Sequence, residues 1–215
     1  MGPGRLHALI DGVFAIAVTL LVLDLPRPGG SGQLAHDLLQ QWPSYAAYLV
    51  SFATIGILWI EHHGMMSAVE RIDRRFLERT LVFLLFISII PWPTALAAEY
   101  VRHGGSSARA AAVLYGSIML LMGLSFAAGW RYLSQHEALV ATPARAAFPS
   151  GTRRALIGGL VYVPAILVAF VSPDASFAID AAIAIYFAAS RSEVPGLIYR
   201  STLEPSETTS SAGSE

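Results

Sequence analysis

The sequence predicts an all-α, polytopic membrane protein with six transmembrane helices, and three observations predict it. Hydrophobic residues make up 54% of the chain and charged residues 13%, a balance tilted away from ordinary soluble domains. Apolar blocks recur at Ala8 to Leu25, Ser44 to Ile60, Thr80 to Ala98, Ala108 to Tyr132, Ala155 to Val171 and Phe177 to Ala189. Most of them approach the roughly 20 residues that a helix needs to cross a bilayer. The basic residues, all 14 of them arginine, gather between alternate blocks.

The first block, ALIDGVFAIAVTLLVLDL, carries an aspartate at each end and a threonine in its middle. As a helix it covers about 27 Å, close to the hydrocarbon thickness of a bilayer. It lacks a basic leader of several charges and a small-residue cleavage site, so a retained span is expected rather than a signal peptide. A carboxylate at membrane depth needs a partner or water beside it, which marks this as a working span and not an anchor.

The following stretch, PRPGGSGQLAHDLLQQWPS, places Leu34, Leu38 and Leu39 at helical spacing after a Pro/Gly turn. It reads as a short amphipathic helix at the interface with Trp42 at its rim. The second block ends in Trp59, Glu61, His62 and His63. Pro91, Trp92, Pro93 and Thr94 interrupt the third block, predicting a kink with an interfacial tryptophan. The fifth contains Gly158, Gly159 and Pro164, and the short sixth is interrupted by Asp180; membrane helices tolerate such breakers because neighbours re-satisfy the backbone. Residues 1–200 form the expected membrane domain. The tail, 201–215, is rich in Ser, Thr and Glu from Glu204 onward and is expected to be disordered.

Orientation follows from the arginines. With six spans and the N-terminus inside, Arg5, Arg71, Arg74, Arg75, Arg79, Arg131, Arg145, Arg153, Arg154, Arg191 and Arg200 lie inside, and Arg27, Arg102 and Arg109 outside. That is eleven of the 14 on one side, which places both termini in the cytoplasm by the positive-inside rule. The absence of lysine, with the Ala and Gly richness, points to a GC-rich prokaryotic genome and hence to a prokaryotic cell membrane. With no cysteine there are no disulfides, thiolate metal sites or thiol redox chemistry. A net charge of −1 gives no sign of a nucleic-acid partner. No span carries regularly spaced arginines, which argues against steep voltage gating.

On a helical wheel at about 100° per residue, Ile16, Thr19, Leu20 and Leu23 share one stripe and Asp11 lies about 140° away from Ile16. Asp11 is therefore expected to point towards neighbouring helices at the cytoplasmic end. The descending second span delivers Trp59, Glu61, His62 and His63 to the same depth, so a hydrogen bond from a histidine or the tryptophan is geometrically reasonable. The stripe reads either as lipid-facing or core packing, or as a pore lining that gates by dewetting, with threonine hydroxyls replacing part of an ion's hydration shell. Periodicity alone leaves both open. His62 and His63 are adjacent, so they diverge by about 100° and make a poor chelating pair; no metal site is expected. The ERIDRR run from Glu70 to Arg75 reads as a solvated, headgroup-contacting turn. Asp24 closes the outer end of the first span, as a water-facing helix end or as one member of a carboxylate ring in an oligomer.

Three stretches, DGVFAIAVTLLVLDL ending at Leu25, SFATIGILWIEHH from Ser51 to His63, and RIDRRFLERTLVFLLFISIIPWPTALAAEY from Arg71 to Tyr100, together resemble bacterial members of the transmembrane protein 175 family, potassium channels related to the endosomal and lysosomal potassium channel. The resemblance covers roughly the first hundred residues. It implies six helices per subunit, a homotetramer around a central pore lined by the first helix, and a filter of hydrophobic side chains in place of a glycine-rich carbonyl loop. By position after the aspartate, the constricting residue corresponds to Ile16 and the hydroxyl layer to Thr19. The family signature, a basic residue, three variable ones, then Phe-Ser-Asp, reads here as Arg5, then Leu6, His7 and Ala8, then Leu9, Ile10 and Asp11. The charged ends match and the aromatic and hydroxyl are lost, so the polar network of Arg5, Asp11, Trp59, His62 and His63 is expected to be thinner.

The expected function is that of a cation channel passing potassium in preference to sodium, with no cofactor and potassium as the permeant ion. The alternatives are a proton leak through Asp11 and the histidines, or a membrane protein that assembles without conducting. A membrane enzyme built on Asp11, His62 and His63 lacks a nucleophile, a phosphate loop or chelating spacing.

Overall fold

The computed structural model describes residues 3–27, 33–101 and 104–189. Among them the regular structure is helical: α1 (Pro3–Leu23), α2 (Leu34–Gln40), α3 (Trp42–Ser67), α4 (Arg74–Ile89), α5 (Pro91–Tyr100), α6 (Gly105–Gln135), α7 (Phe148–Leu160), α8 (Tyr162–Ala169) and α9 (Pro173–Ala189), with two short 3₁₀ turns between α6 and α7. Five stretches are long and apolar enough to cross a membrane: Gly4–Leu23, Trp42–Ser67, Arg74–Tyr100, Gly105–Gln135 and Thr142–Ala169. The tail expected at 201–215 lies outside the described residues.

Proline chemistry sets two of the boundaries. Pro93 has no N–H to offer the carbonyl of Ile89, where α4 stops, and α5 resumes at Pro91 with Thr94 N–H bonded to the Ile90 carbonyl at 3.2 Å. Pro164 does the same to Leu160, the last residue of α7, and α8 follows after one residue. Each pair of helices therefore forms one kinked span. The α-helix of the fifth span starts earlier than its apolar block, at Phe148, directly after the 3₁₀ turn Thr142–Ala147. The last helix also starts earlier, at Pro173, and its 17 residues bury Asp180.

The long helix α6 is the spine, packed against α4, α5, α7, α8 and α9. Its closest partner is α7, where two backbones meet at glycines: a Cβ on Gly159 would stand 2.9 Å from the carbonyl carbon of Gly123. Only a residue without a side chain permits that approach, the usual device for helix contact where hydrocarbon supplies no driving force. An aromatic column of Phe14, His62, Phe83 and Phe126 ties α1, α3, α4 and α6 together, with the His62 ring stacked on Phe83 at 5.1 Å.

At the arginine-rich end, the α3–α4 connection pairs with the segment after α6. Glu70 and Arg71 N–H both donate to the Leu139 carbonyl, and Ala141 N–H donates to that of Ala68. Asp73 caps α4, accepting from Phe76 N–H at 2.8 Å, and its other carboxylate oxygen accepts the Tyr132 hydroxyl of α6. The ERIDRR run is thus more than a solvated turn: its aspartate starts one span and fastens it to another.

Candidate functional site

α1 has two unlike faces. Leu6, Ile10, Phe14, Ala17 and Leu21 recur at steps of three and four and are buried against α3, α4 and α5. The opposite face is uncovered: Ile16 is 60% exposed, Leu23 is 76% exposed, and Thr19 and Leu20 lie exposed between them. The stripe read from helical spacing is therefore a surface of the subunit and not part of its core. The Thr19 hydroxyl donates back to the Ile16 carbonyl at 2.9 Å. Gly12 and Ala15 lie on the same uncovered side. Asp24 follows the last residue of α1 and is exposed.

Asp11 sits at the edge between the two faces, exposed, and accepts a hydrogen bond from Trp59 Nε1 of α3 at 3.0 Å. His63 lies one turn further along α3 with its ring 5.6 Å from that of Trp59. His62 is turned away from this edge into the aromatic column, 2% exposed, with Nδ1 lacking a hydrogen-bond partner among the described residues. The two histidines diverge as adjacent helical residues must, and no group of three or more His, Cys, Asp or Glu residues among the described residues is placed to hold a metal. Arg5 is exposed near the start of α1. Where the family signature has its serine, Ile10 is buried in the core, and in place of the aromatic stands the exposed Leu9. Substitution of an apolar side chain at the inward position removes a hydroxyl from the interior without leaving a polar atom unsatisfied.

One buried constellation was not legible as a site. Ser51 of α3 bonds to Thr94 of α5 at 2.8 Å and to Tyr115 of α6 at 3.2 Å, all three buried. Nearby Asp180 is 3% exposed with neither carboxylate oxygen paired among the described residues. The sequence showed Asp180 only as an interruption of an apolar block, since its neighbours come from helices remote in the chain.

Comparison with known proteins decides which kind of protein this arrangement belongs to. Residues 5–91 match the family described as endosomal/lysosomal potassium channel TMEM175. A potassium channel of Streptomyces collinus is 43% identical over 195 residues, covering 89% of this chain and 94% of that protein. The chain belongs to the TMEM175 family. It is a multi-pass membrane protein of an ion-channel family and not an enzyme. The crystal structure of a lysosomal potassium-selective channel TMEM175 homologue from Chamaesiphon minutus superposes with a TM-score of 0.76 at 36% identity, over 86% of this chain and 96% of that one. The human endosomal/lysosomal proton channel TMEM175 is 33% identical over 109 residues, 46% of this chain and 22% of that longer protein. The structural similarity to the Chamaesiphon homologue therefore extends over most of the chain, whereas the sequence match to the human protein spans about half of it.

Proposed function

We propose that the protein is a potassium-selective cation channel, a homotetramer whose pore is lined by the first of six membrane helices. The sixth is α9, whose 17 described residues span about 26 Å. The observation that carries this reading is the second face of α1: an apolar stripe with one hydroxyl, left uncovered by the subunit's own helices. Repeated around an axis, Ile16 forms a constriction that excludes water unless the stripe widens, and Leu20 and Leu23 extend it. Thr19 keeps lone pairs available beside its bond to the backbone and replaces part of a cation's hydration shell. Gly12 and Ala15 allow neighbouring copies to approach closely. Asp24 forms a carboxylate ring at the outer mouth that concentrates cations. The names of the Streptomyces and Chamaesiphon relatives support potassium as the permeant ion. The arginine distribution supports a cell-membrane protein with both termini in the cytoplasm.

The test is flux from liposomes holding the purified protein, under a potassium and then a sodium gradient, for wild type and Ile16→Asn. The proposal expects potassium-selective wild-type flux and altered flux or selectivity in the variant. Potassium flux identical in both removes Ile16 from the constriction. The proton leak is favoured by one observation, the polar edge where Asp11 accepts from Trp59 Nε1 and the His63 ring lies against that of Trp59. It predicts dissipation of a pH gradient without potassium. No flux of either ion from inserted, oligomeric protein leaves a non-conducting role.

A further inference from the structure

Between α3, α6, α7, α8 and α9 lies a cavity of about 690 Å³, well within the roughly 300–1,000 Å³ of small-molecule sites. None of its lining residues comes from α1. Its walls are largely apolar, with Met122, Phe126 and Ile183 deep inside and Ile157 and Tyr186 exposed at its margin. The single charged pair in its lining is Glu61 of α3 with Arg154 of α7, whose Nη2 and Oε2 are 3.5 Å apart.

Three features select the occupant. The first is length: Thr54 and Glu61, or Arg154 and Tyr162, are separated along their helices by about 10–12 Å of rise, most of one leaflet of hydrocarbon. The second is charge at one end only. Glu61 and Arg154 sit at the arginine-rich end of the bundle, and the opposite end offers Thr54 and Tyr162 as its polar atoms. The third is the state of Arg154. Its side chain is half exposed and its pairing with Glu61 is longer than the roughly 2.7–2.9 Å of a strong charge-assisted bond. A guanidinium has five N–H donors in a rigid fork, so one edge serves Glu61 and the other stays open to an anion. Walls contributed by membrane spans face hydrocarbon, and apolar cavities do not hold water well.

We infer that this cavity is a binding site for an anionic glycerophospholipid, with an acyl chain between α3, α7 and α9 and the phosphate on Arg154. The lipid bridges α7 to α3 and α9, which pack against each other.

The test is native mass spectrometry of the detergent-purified, full-length oligomer, titrated with palmitoyl-oleoyl phosphatidylglycerol or with phosphatidylcholine of identical chains. Inorganic phosphate is the control for a bare anion. Wild type is expected to retain phosphatidylglycerol at about tenfold lower concentration than phosphatidylcholine, with no effect of phosphate on that retention. Arg154→Gln is expected to erase the preference, and Ala182→Phe, which fills the cavity, to weaken retention of both lipids. Ile157→Trp at the exposed margin replaces Ala182→Phe if the latter does not yield intact oligomer. An undiminished preference in Arg154→Gln, unchanged retention in the filled variant, or displacement of the lipid by phosphate alone overturns the inference. Because the readout is binding, it stands or falls separately from conduction.

Discussion

Trp59 Nε1 donates to the Asp11 carboxylate at 3.0 Å, joining α1 to α3 across 48 residues of sequence. It is a bond between the helix proposed to line the pore and the helix behind it. Where the family signature has its serine, Ile10 is buried. Trp59→Phe keeps most of the ring and removes the donor. It is expected to cost about 1 kcal/mol, less than a buried bond to a charged group because both partners are exposed. Thermal unfolding of the purified protein checks this. Asp11→Asn, which keeps an acceptor, should lose less stability than Asp11→Ala; equal loss would show that the bond is not what Asp11 supplies.

Ile16 projects from the subunit, so its replacement is expected to leave folding intact while changing conduction. Ile16→Ala should raise conductance or lower potassium selectivity, with a melting temperature within a few degrees of wild type. Single-channel recording beside a melting curve separates the two effects. A large loss of stability would mean that this face packs inside one subunit.

The α6–α7 contact is closed by Gly123 and Gly159, with no room for a side chain at either. Gly159→Val is expected to destabilise by about 1–3 kcal/mol or more, because both backbones have to move. Its neighbour provides the control. A Cβ on Gly158 would meet only Phe187 Cζ at 3.7 Å, an ordinary contact, so Gly158→Ala should be neutral or slightly stabilising. Detergent-solubilised melting curves of the two variants should therefore move in different directions or by clearly different amounts.

Acid should loosen the arginine-rich end through Asp73. Burial by itself raises this carboxyl, but the Tyr132 hydroxyl, the Phe76 N–H, and the charges of His136 and Arg75 outweigh it, holding the group below its ordinary 3.8. A carboxylate with a folded pKa below its unfolded one contributes its stability in full above the unfolded value and loses it as the pH falls through the folded value. Wild type should therefore lose this contribution only below about pH 4. Asp73→Asn should be less stable than wild type at neutral pH, with the difference shrinking in acid. Melting temperatures across pH 3 to 7 test the convergence.

Much of the bundle is visible as local pattern. The apolar blocks, the prolines that split the third and fifth spans, and the Leu34–Leu39 amphipathic segment all register in the chain itself, because length, period and a missing N–H act within a few residues. The cap at Asp73 had a local signal too: an Asp immediately before the first helical residue is a common N-cap, although the surrounding arginines made it read as a solvated turn. The start of α7 at Phe148 was not marked by apolar periodicity, since polar Ser150, Thr152, Arg153 and Arg154 occupy its first turns.

By itself the sequence determined that the chain crosses a membrane as helices, that the third bends at its prolines, and that Ile16, Thr19, Leu20 and Leu23 share one side of the first. Hydrophobic length and 3.6-residue geometry are properties of each segment alone. Only the tertiary structure decided which side of α1 is covered, that Trp59 and not His62 meets Asp11, and that Asp180 is buried beside helices distant in sequence. Those outcomes depend on how whole helices pack, which is governed by contacts such as Gly123 with Gly159 between segments that carry no mark of one another.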